Sequence, residues 1–168
     1  RFGSIGFRAD SKLNDADSLT LEGGAYRGQA NNFGSQTILT VPFTAAVYGT
    51  TESEGMNFLS RWNHIVSDSE SYSLQAYVDT LIREDLTIDG HEEKYDLDWQ
   101  HRFQLAAGHD FLWGAGYRMS RNRLVGGYFI DFTPHKRVDH LANLFAQDTV
   151  TLINDRLKFT LGSKLEHN

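Results

Sequence analysis

The sequence predicts an all-β protein, an antiparallel up-and-down meander of about eight strands. Three observations carry that expectation. Apolar and polar residues alternate through most of the chain, the alternating runs are long, and the connections between runs are tight and long by turns. The stretch "SYSLQAYVDTLIRED" (Ser71 to Asp85) shows the pattern at its fullest. Tyr72, Leu74, Ala76, Val78, Thr80 and Ile82 fall on one side, and Ser71, Ser73, Gln75, Tyr77, Asp79 and Arg83 on the other, with Leu81 the single misfit. Period-two alternation gives a strand two unlike faces, and strands of soluble domains usually end after about 5–6 residues.

The first run, "GSIGFRADSKL", sets Ile5, Phe7 and Ala9 against Ser4, Arg8 and Asp10, and a turn cluster follows at Asn14–Ser18. The second, "SLTLEGGAYRGQA", sets Leu19, Leu21 and Ala25 against Thr20, Glu22 and Tyr26. A long irregular connection is expected from about 31 to 54. The third run, "MNFLSRWNHIV", opposes Met56, Phe58, Trp62 and Val66 to Asn57, Arg61 and Asn63, and turns at Ser67–Glu70 into the fourth, quoted above. A connection is expected from about 85 to 93. The fifth run, "KYDLDWQHRFQLA", is the cleanest, with Tyr95, Leu97, Trp99, Phe103 and Leu105 against Asp96, Asp98, Gln100, Arg102 and Gln104. After "AAGHD", the sixth run places Phe111, Trp113, Ala115, Tyr117 and Met119 on one face, with Gly114 and Gly116 opposite. Glycines inside a strand point to close approach or a bend. A loop is expected from about 125 to 137. The seventh run, "NLFAQDTVTLI", alternates least cleanly, and Asn154-Asp155 turns into the eighth, with Leu157, Phe159, Leu161 and Leu165 against Lys158, Thr160, Lys164 and Glu166.

In a meander, alternate connections lie at the same end, so one end carries tight turns and the other long loops. Outer-membrane barrels have this asymmetry. Charges on the polar face, Asp79, Arg83, Asp96, Asp98, Arg102, Arg118 and Lys158, do not line a dry core unpaired. A watered lumen or a polar plug would solvate them. A lipocalin-like barrel is the inverse arrangement, with its apolar residues inward, and periodicity alone leaves both open.

Composition narrows the class. The chain has 168 residues, 40% hydrophobic, with a net charge of −6, which argues against a general nucleic-acid binder. There is no cysteine, hence no disulfide framework and no thiolate chemistry. No apolar run approaches the roughly 18–20 residues of a membrane helix, and a negative mean hydropathy does not speak against a barrel, whose strands give lipid only every second residue.

Particular segments add a resemblance. "FAQDTVTLINDRLKFTLGSKLEHN" (residues 145–168) resembles a barrel segment of TonB-dependent outer-membrane receptors: an aromatic-Ala-Gln-Asp start, a tight turn, then a strand ending Gly-Ser-Lys-Leu-Glu-His-Asn. "RWNHIVSDSESYSLQAYVDTLIRED" (61–85) and "GFRADSKLNDADSLTLEGGAYRG" (6–28) are similar to earlier hairpins of the same barrels. The resemblance implies that residues 1–168 are part of a transmembrane β-barrel of about 22 strands, from its first half, without plug domain or signal peptide in this chain. It implies a Gram-negative outer-membrane location, with membrane lipid, TonB, the plug domain and a small-molecule chelate as partners. The intact protein would bind a scarce ligand, such as a siderophore–iron complex, and import it with energy relayed by TonB. A small eight-stranded outer-membrane barrel with a structural or adhesive role, and a soluble lipocalin-like barrel, are the alternatives.

Candidate site residues follow. The segment "NRLVGGYFIDFTPHKR" mixes aromatics with a basic end, suited to an anionic iron chelate. Its ligand-capture candidates are Tyr128, Phe129, Phe132, His135, Lys136 and Arg137. Asp79, Arg83, Asp96, Asp98, Arg102 and Arg118 are expected to face the lumen. The seven histidines show no i, i+4 helical pair, "DLTIDGHEE" lacks calcium-loop spacing, and nothing resembles a nucleophile elbow. No catalytic residue, metal site or cofactor is expected.

Overall fold

The computed structural model describes residues 1–127, 130–154 and 156–168, with the side chain of Gln36 left aside. Eight strands form one sheet in sequence order, each antiparallel to the next. They are β1 (Phe2–Lys12), β2 (Asp17–Thr37), β3 (Thr44–Ser67), β4 (Glu70–Glu84), β5 (Ile88–Ala106), β6 (His109–Gly126), β7 (Lys136–Ile153) and β8 (Leu157–His167). β1 and β8 are its edges. Among the described residues there is no helix.

The strands outrun the sequence expectation at the long-connection end. The irregular stretch expected from about 31 to 54 is mostly paired: β2 and β3 run 21 and 24 residues, and their ladder continues to Thr37 opposite Thr44. The connection expected from about 85 to 93 shrinks to 85–87, because Ile88 already faces Gly126. Lys136 and Arg137, read as loop, are the first residues of β7. In each case backbone pairing with a neighbour outweighs an unremarkable local pattern. Ladder hydrogen bonds need no alternation, so a polar ribbon such as Gln29–Gln36 is invisible to periodicity.

At the other end the turns are tight, as the turn clusters predict. Gly108 closes the β5–β6 turn at φ +79°, beside a register shift between Gln104 and Ala106. A left-handed glycine next to a bulge is a standard hairpin solution, and a side chain there is strained.

Register assembles the faces. On one, cross-strand rows read Leu19–Trp62–Leu74–Trp99–Ala115–Leu144–Leu165 and Gly23–Phe58–Val78–Tyr95–Met119. The other face collects the polar alternates. β7 alternates poorly because several residues break the rule, among them His140 on the apolar face and Leu141 on the polar one. Asp148 sits on the apolar face, where His109 Nδ1 lies 2.7 Å from it, and Phe145 sits on the polar face with its ring over Gly114. A Cβ on Gly114 would meet that ring at 2.7 Å, and a Cβ on Gly116 the Asp98 carboxylate at 2.5 Å. The two glycines admit close neighbours, as their place in a strand predicts.

Among the described residues no hydrophobic side chain is buried, and Ile5, Met56, Leu97, Leu144 and Leu161 are all exposed on the apolar face. The sheet is a single layer. Water-soluble domains bury such a face against a second layer, and the described residues supply none. From Tyr72 to Ile82 the β4 stripe spans ~33 Å at ~3.3 Å per residue, which a strand tilt of ~40° reduces to ~25 Å, the height of a barrel's lipid-facing band.

Candidate functional site

The polar face is held together by ion pairs between neighbouring strands. Arg118 on β6 donates to Asp96 on β5 at 2.6 Å, directly opposite in register. Arg102 forks onto Asp110 across the same hairpin. Lys94 reaches Glu92 at 3.2 Å along its own strand. Asp79 accepts the Tyr77 hydroxyl at 3.2 Å and stands opposite Lys94. Arg83 reaches Asp85 at 3.4 Å. Asp98 lies against Gly116. The six residues expected on the polar side, Asp79, Arg83, Asp96, Asp98, Arg102 and Arg118, therefore share one face by register. The arginines of these pairs, Arg83, Arg102 and Arg118, are exposed, so each pair contributes little by itself, about 0–1 kcal/mol. Their collective effect is to make a wetted wall of fixed charge.

A recess interrupts this wall at the long-connection end. A cavity of about 390 Å³ opens over β4, β5 and β6, lined among others by Leu81, Arg83, Asp85, Ile88, Glu92 and Leu124. Leu81, the single misfit in its strand's alternation, supplies the apolar floor together with Leu124. Arg83, Asp85 and Glu92 supply charge around it, and Asp85 and Glu92 each keep a cation of their own, Arg83 and Lys94. Asp85 lies in the connection beyond β4. The Thr51 hydroxyl, donating to it at 2.9 Å, holds its carboxyl below the usual carboxylate range, with Arg83 adding to the effect against a desolvation cost.

Sequence reasoning singled out Arg83 here but missed Leu81, Ile88 and Leu124 as lining groups. The available signal was the misfit itself: a leucine on a polar face has a reason to be there, and the register supplies it.

The described ligand-capture candidates do not converge on this recess. Tyr128 and Phe129 lie outside the described residues. Phe132 is half-buried in the β6–β7 connection. His135 Nδ1 lies 3.6 Å from Asp131, and its carbonyl accepts the Leu124 N–H at 2.9 Å. Lys136 and Arg137, as successive strand residues, point to opposite faces. Arg137 joins the polar wall through Asp139 at 2.6 Å, while Lys136 lies on the apolar side opposite Arg123. Among the described residues no three His, Asp or Glu side chains gather to hold a metal ion.

The apolar face has two different rims. Near the tight turns, Trp62, His64, Tyr72, Trp99, His101, Phe103 and Trp113 form a continuous ring array. Tyr72 stacks on His101 at 4.3 Å and Trp99 meets Trp113 edge-on at 4.6 Å. Near the long connections the same face carries Arg27, Glu52, Glu54, Glu93, Arg121 and Arg123, with Arg27 to Glu52 at 3.1 Å and Arg121 to Glu93 at 3.8 Å.

No family model matches this chain, and no curated protein matches it. Solved structures do. OmpT, an outer membrane protein of Vibrio cholerae in its trimer form, aligns with a TM-score of 0.57 at 12% identity, over 97% of this chain and 45% of that one. The siderophore receptor PirA from Pseudomonas aeruginosa aligns with a TM-score of 0.54 at 16% identity, over 98% of this chain and 35% of that one. The chain thus spans less than half the length of either protein. At these identities the likeness establishes the fold: eight up-and-down strands matching part of an outer-membrane β-barrel.

Proposed function

We propose that this chain is part of the wall of an outer-membrane barrel, with its long connections outside the cell, and that the whole protein is a TonB-dependent receptor importing a scarce ligand such as a siderophore–iron complex. The observation that carries the membrane reading is the single-layer sheet: an apolar face about 25 Å tall, no buried hydrophobic side chain among the described residues, and an ion-paired opposite face. Lipid is the partner such a face fits, because a protein second layer is absent from the described chain.

The receptor reading is supported by the resemblance of residues 145–168, 61–85 and 6–28 to barrel hairpins of that family, and by the likeness to a siderophore receptor. In this mechanism the barrel does no covalent chemistry. The connection between β6 and β7, with Tyr128, Phe129, Phe132 and His135, captures the chelate, and Arg137 at the start of β7 adds a cation on the polar face. The polar wall of Asp79, Arg83, Asp96, Asp98, Arg102 and Arg118 faces a plug domain, which TonB rearranges with the proton motive force. The cavity floored by Leu81 and Leu124 is a shallow subsite on the ligand's way inward.

The comparable likeness to OmpT favours a second reading, an outer-membrane barrel whose role needs no relayed energy. Uptake of labelled ferric hydroxamate, ferric catecholate and cobalamin by cells expressing the full-length protein separates them. The receptor reading expects accumulation of one probe that a protonophore abolishes. Accumulation indifferent to the protonophore would replace it with the passive barrel. A purified protein monodisperse without detergent would sink both.

A further inference from the structure

At the tight-turn end the strands form four hairpins, β1–β2, β3–β4, β5–β6 and β7–β8, each closed by its own turn. The three seams between hairpins have no chain link at that end. Each of these seams carries one histidine–carboxylate pair on the apolar face. His64 Nδ1 lies 2.8 Å from Asp17 between β2 and β3, His101 Nε2 3.1 Å from Glu70 between β4 and β5, and His109 Nδ1 2.7 Å from Asp148 between β6 and β7. Beside each pair runs a backbone hydrogen bond that ends its seam. Ile65 donates its N–H to Ala16 at 2.8 Å, Gln104 to Ser69 at 3.0 Å and Thr151 to Gly108 at 2.7 Å. Among the described residues no such pair joins the two strands of one hairpin. His91 faces Glu93 on its own strand, and His135 faces Asp131 within a connection.

The three imidazoles are not equivalent. The Trp113 indole can only donate, and it donates to His101 Nδ1 at 3.1 Å. His101 Nδ1 is therefore an acceptor, and Nε2 carries the proton that Glu70 accepts. Adding a second proton would cost the Trp113 bond, and the His101 side chain is only 16% exposed. His64 and His109 bind their carboxylates through Nδ1, and among the described residues Nε2 of neither has a partner. Their side chains are 34% and 38% exposed, so a proton reaches that nitrogen from water.

We propose that the outer pairs are proton-tightened staples: acidification locks the β2–β3 and β6–β7 seams through His64 and His109, while the β4–β5 seam, with His101 held by Trp113, does not respond. Imidazole is the side chain that changes charge between about pH 5 and 8. A charged N–H facing a carboxylate makes roughly twice the hydrogen bond of a neutral one. The titratable and charged groups facing His64 are Asp17 on β2 and Tyr72 on β4, and the one facing His109 is Asp148 on β7, with Ala106 opposite on β5. Glu70 and Tyr72 on β4 face His101. Each outer histidine thus has one carboxylate and no cation against it, so the sign is fixed. The seams are tight below about pH 6.5, the ordinary imidazole value, and loosen above it. The rigidity of the tight-turn rim then follows the acidity of its medium, whichever cargo the barrel serves.

Amide protection in the full-length protein in neutral detergent, taken relative to intrinsic exchange, reads each seam through its own N–H. Between about pH 7.5 and about pH 5.5, protection of Ile65 and Thr151 should rise about threefold and that of Gln104 should stay level. His64→Gln should abolish the rise at Ile65 and leave it at Thr151, and His109→Gln should do the reverse. Trp113→Phe frees His101 Nδ1 and should confer the rise on Gln104. Where a variant fails to fold, the imidazole nitrogen shifts of the parent decide: on acidification His64 and His109 should gain a second N–H and His101 should keep one. An equal rise at all three amides, no rise at Ile65 and Thr151, a rise that survives the histidine substitutions, or a doubly protonated His101 each overturns the proposal.

Discussion

The two rims of the apolar face bound the same stripe with opposite chemistry. At the tight-turn rim the polar atoms belong to rings. Trp62 donates its indole N–H to Asp17 at 3.0 Å, Tyr72 its hydroxyl to Glu70 at 3.1 Å, and Trp113 its indole to His101 at 3.1 Å. At the long-connection rim they belong to flexible chains, Arg27, Glu52, Glu54, Glu93, Arg121, Arg123 and Lys136. Rings with one polar edge suit a fixed boundary between hydrocarbon and water. Long charged chains suit a boundary crowded by charged head groups, where each end finds its own partner. The difference teaches that the stripe is oriented and not merely apolar: its ends are built for different surroundings.

The largest test of that orientation is a charge moved along the stripe. Leu97→Arg, in the middle, should cost about 2–4 kcal/mol of unfolding free energy from lipid vesicles, and Ile82→Arg, at the charged rim, only about 0–1. Equal costs would mean that no lipid band separates the rims. Next comes the ring array. Trp99→Ala removes the edge contact with Trp113 and much apolar area, and about 2 kcal/mol of stability should go with it, read from the denaturant midpoint in the same vesicles. An aromatic at the other rim has no such network, so Tyr48→Ala, which removes only the ring contact with Phe33, should cost under about 1 kcal/mol.

The ring rim's carboxylates give a smaller effect. His109→Ala strands Asp148, whose second oxygen already lacks a hydrogen-bond partner among the described residues, and should cost about 1–2 kcal/mol. The double variant with Asp148→Ala should recover most of that loss, since a buried acceptor is expensive only while it remains.

The smallest effect belongs to the long-connection end and is read by pH. The carboxyl of Asp85 is held below its ordinary value by Thr51 and Arg83. A depressed carboxylate stabilises the folded state fully above its unfolded pKa of about 3.9, and the contribution fades as pH falls through the folded value. Amide protection in residues 85–87, taken relative to intrinsic exchange, should therefore fall below about pH 4, and Asp85→Asn should lower it at neutral pH and flatten the acid response. No change in the variant would remove Asp85 from the account of that connection.

Much of this was legible in sequence because period two is a local property. The faces of β2, β4, β5 and β6, the tight turns and the two glycines of β6 were each readable from a few residues. The strand extensions at Asn31–Thr37, Ile88–Glu93 and Lys136–Arg137 were not, because a polar strand announces itself only through the neighbour that pairs with it. The candidate site fared likewise. The six polar-wall residues share one face, but Lys136 and Arg137, adjacent in sequence, went to opposite sides of the sheet, and Leu81 gained meaning only beside Leu124.

The sequence by itself determined that this chain is a meander with one apolar and one polar face, because alternation dictates where each side chain points regardless of partners. Only the tertiary structure decided which charges meet. That depends on register, which matches residues many positions apart, and it put Arg118 on Asp96, His109 on Asp148 and Arg123 against Lys136. It also decided that the described strands form a single layer, so that the apolar face is left for something other than the described residues to cover.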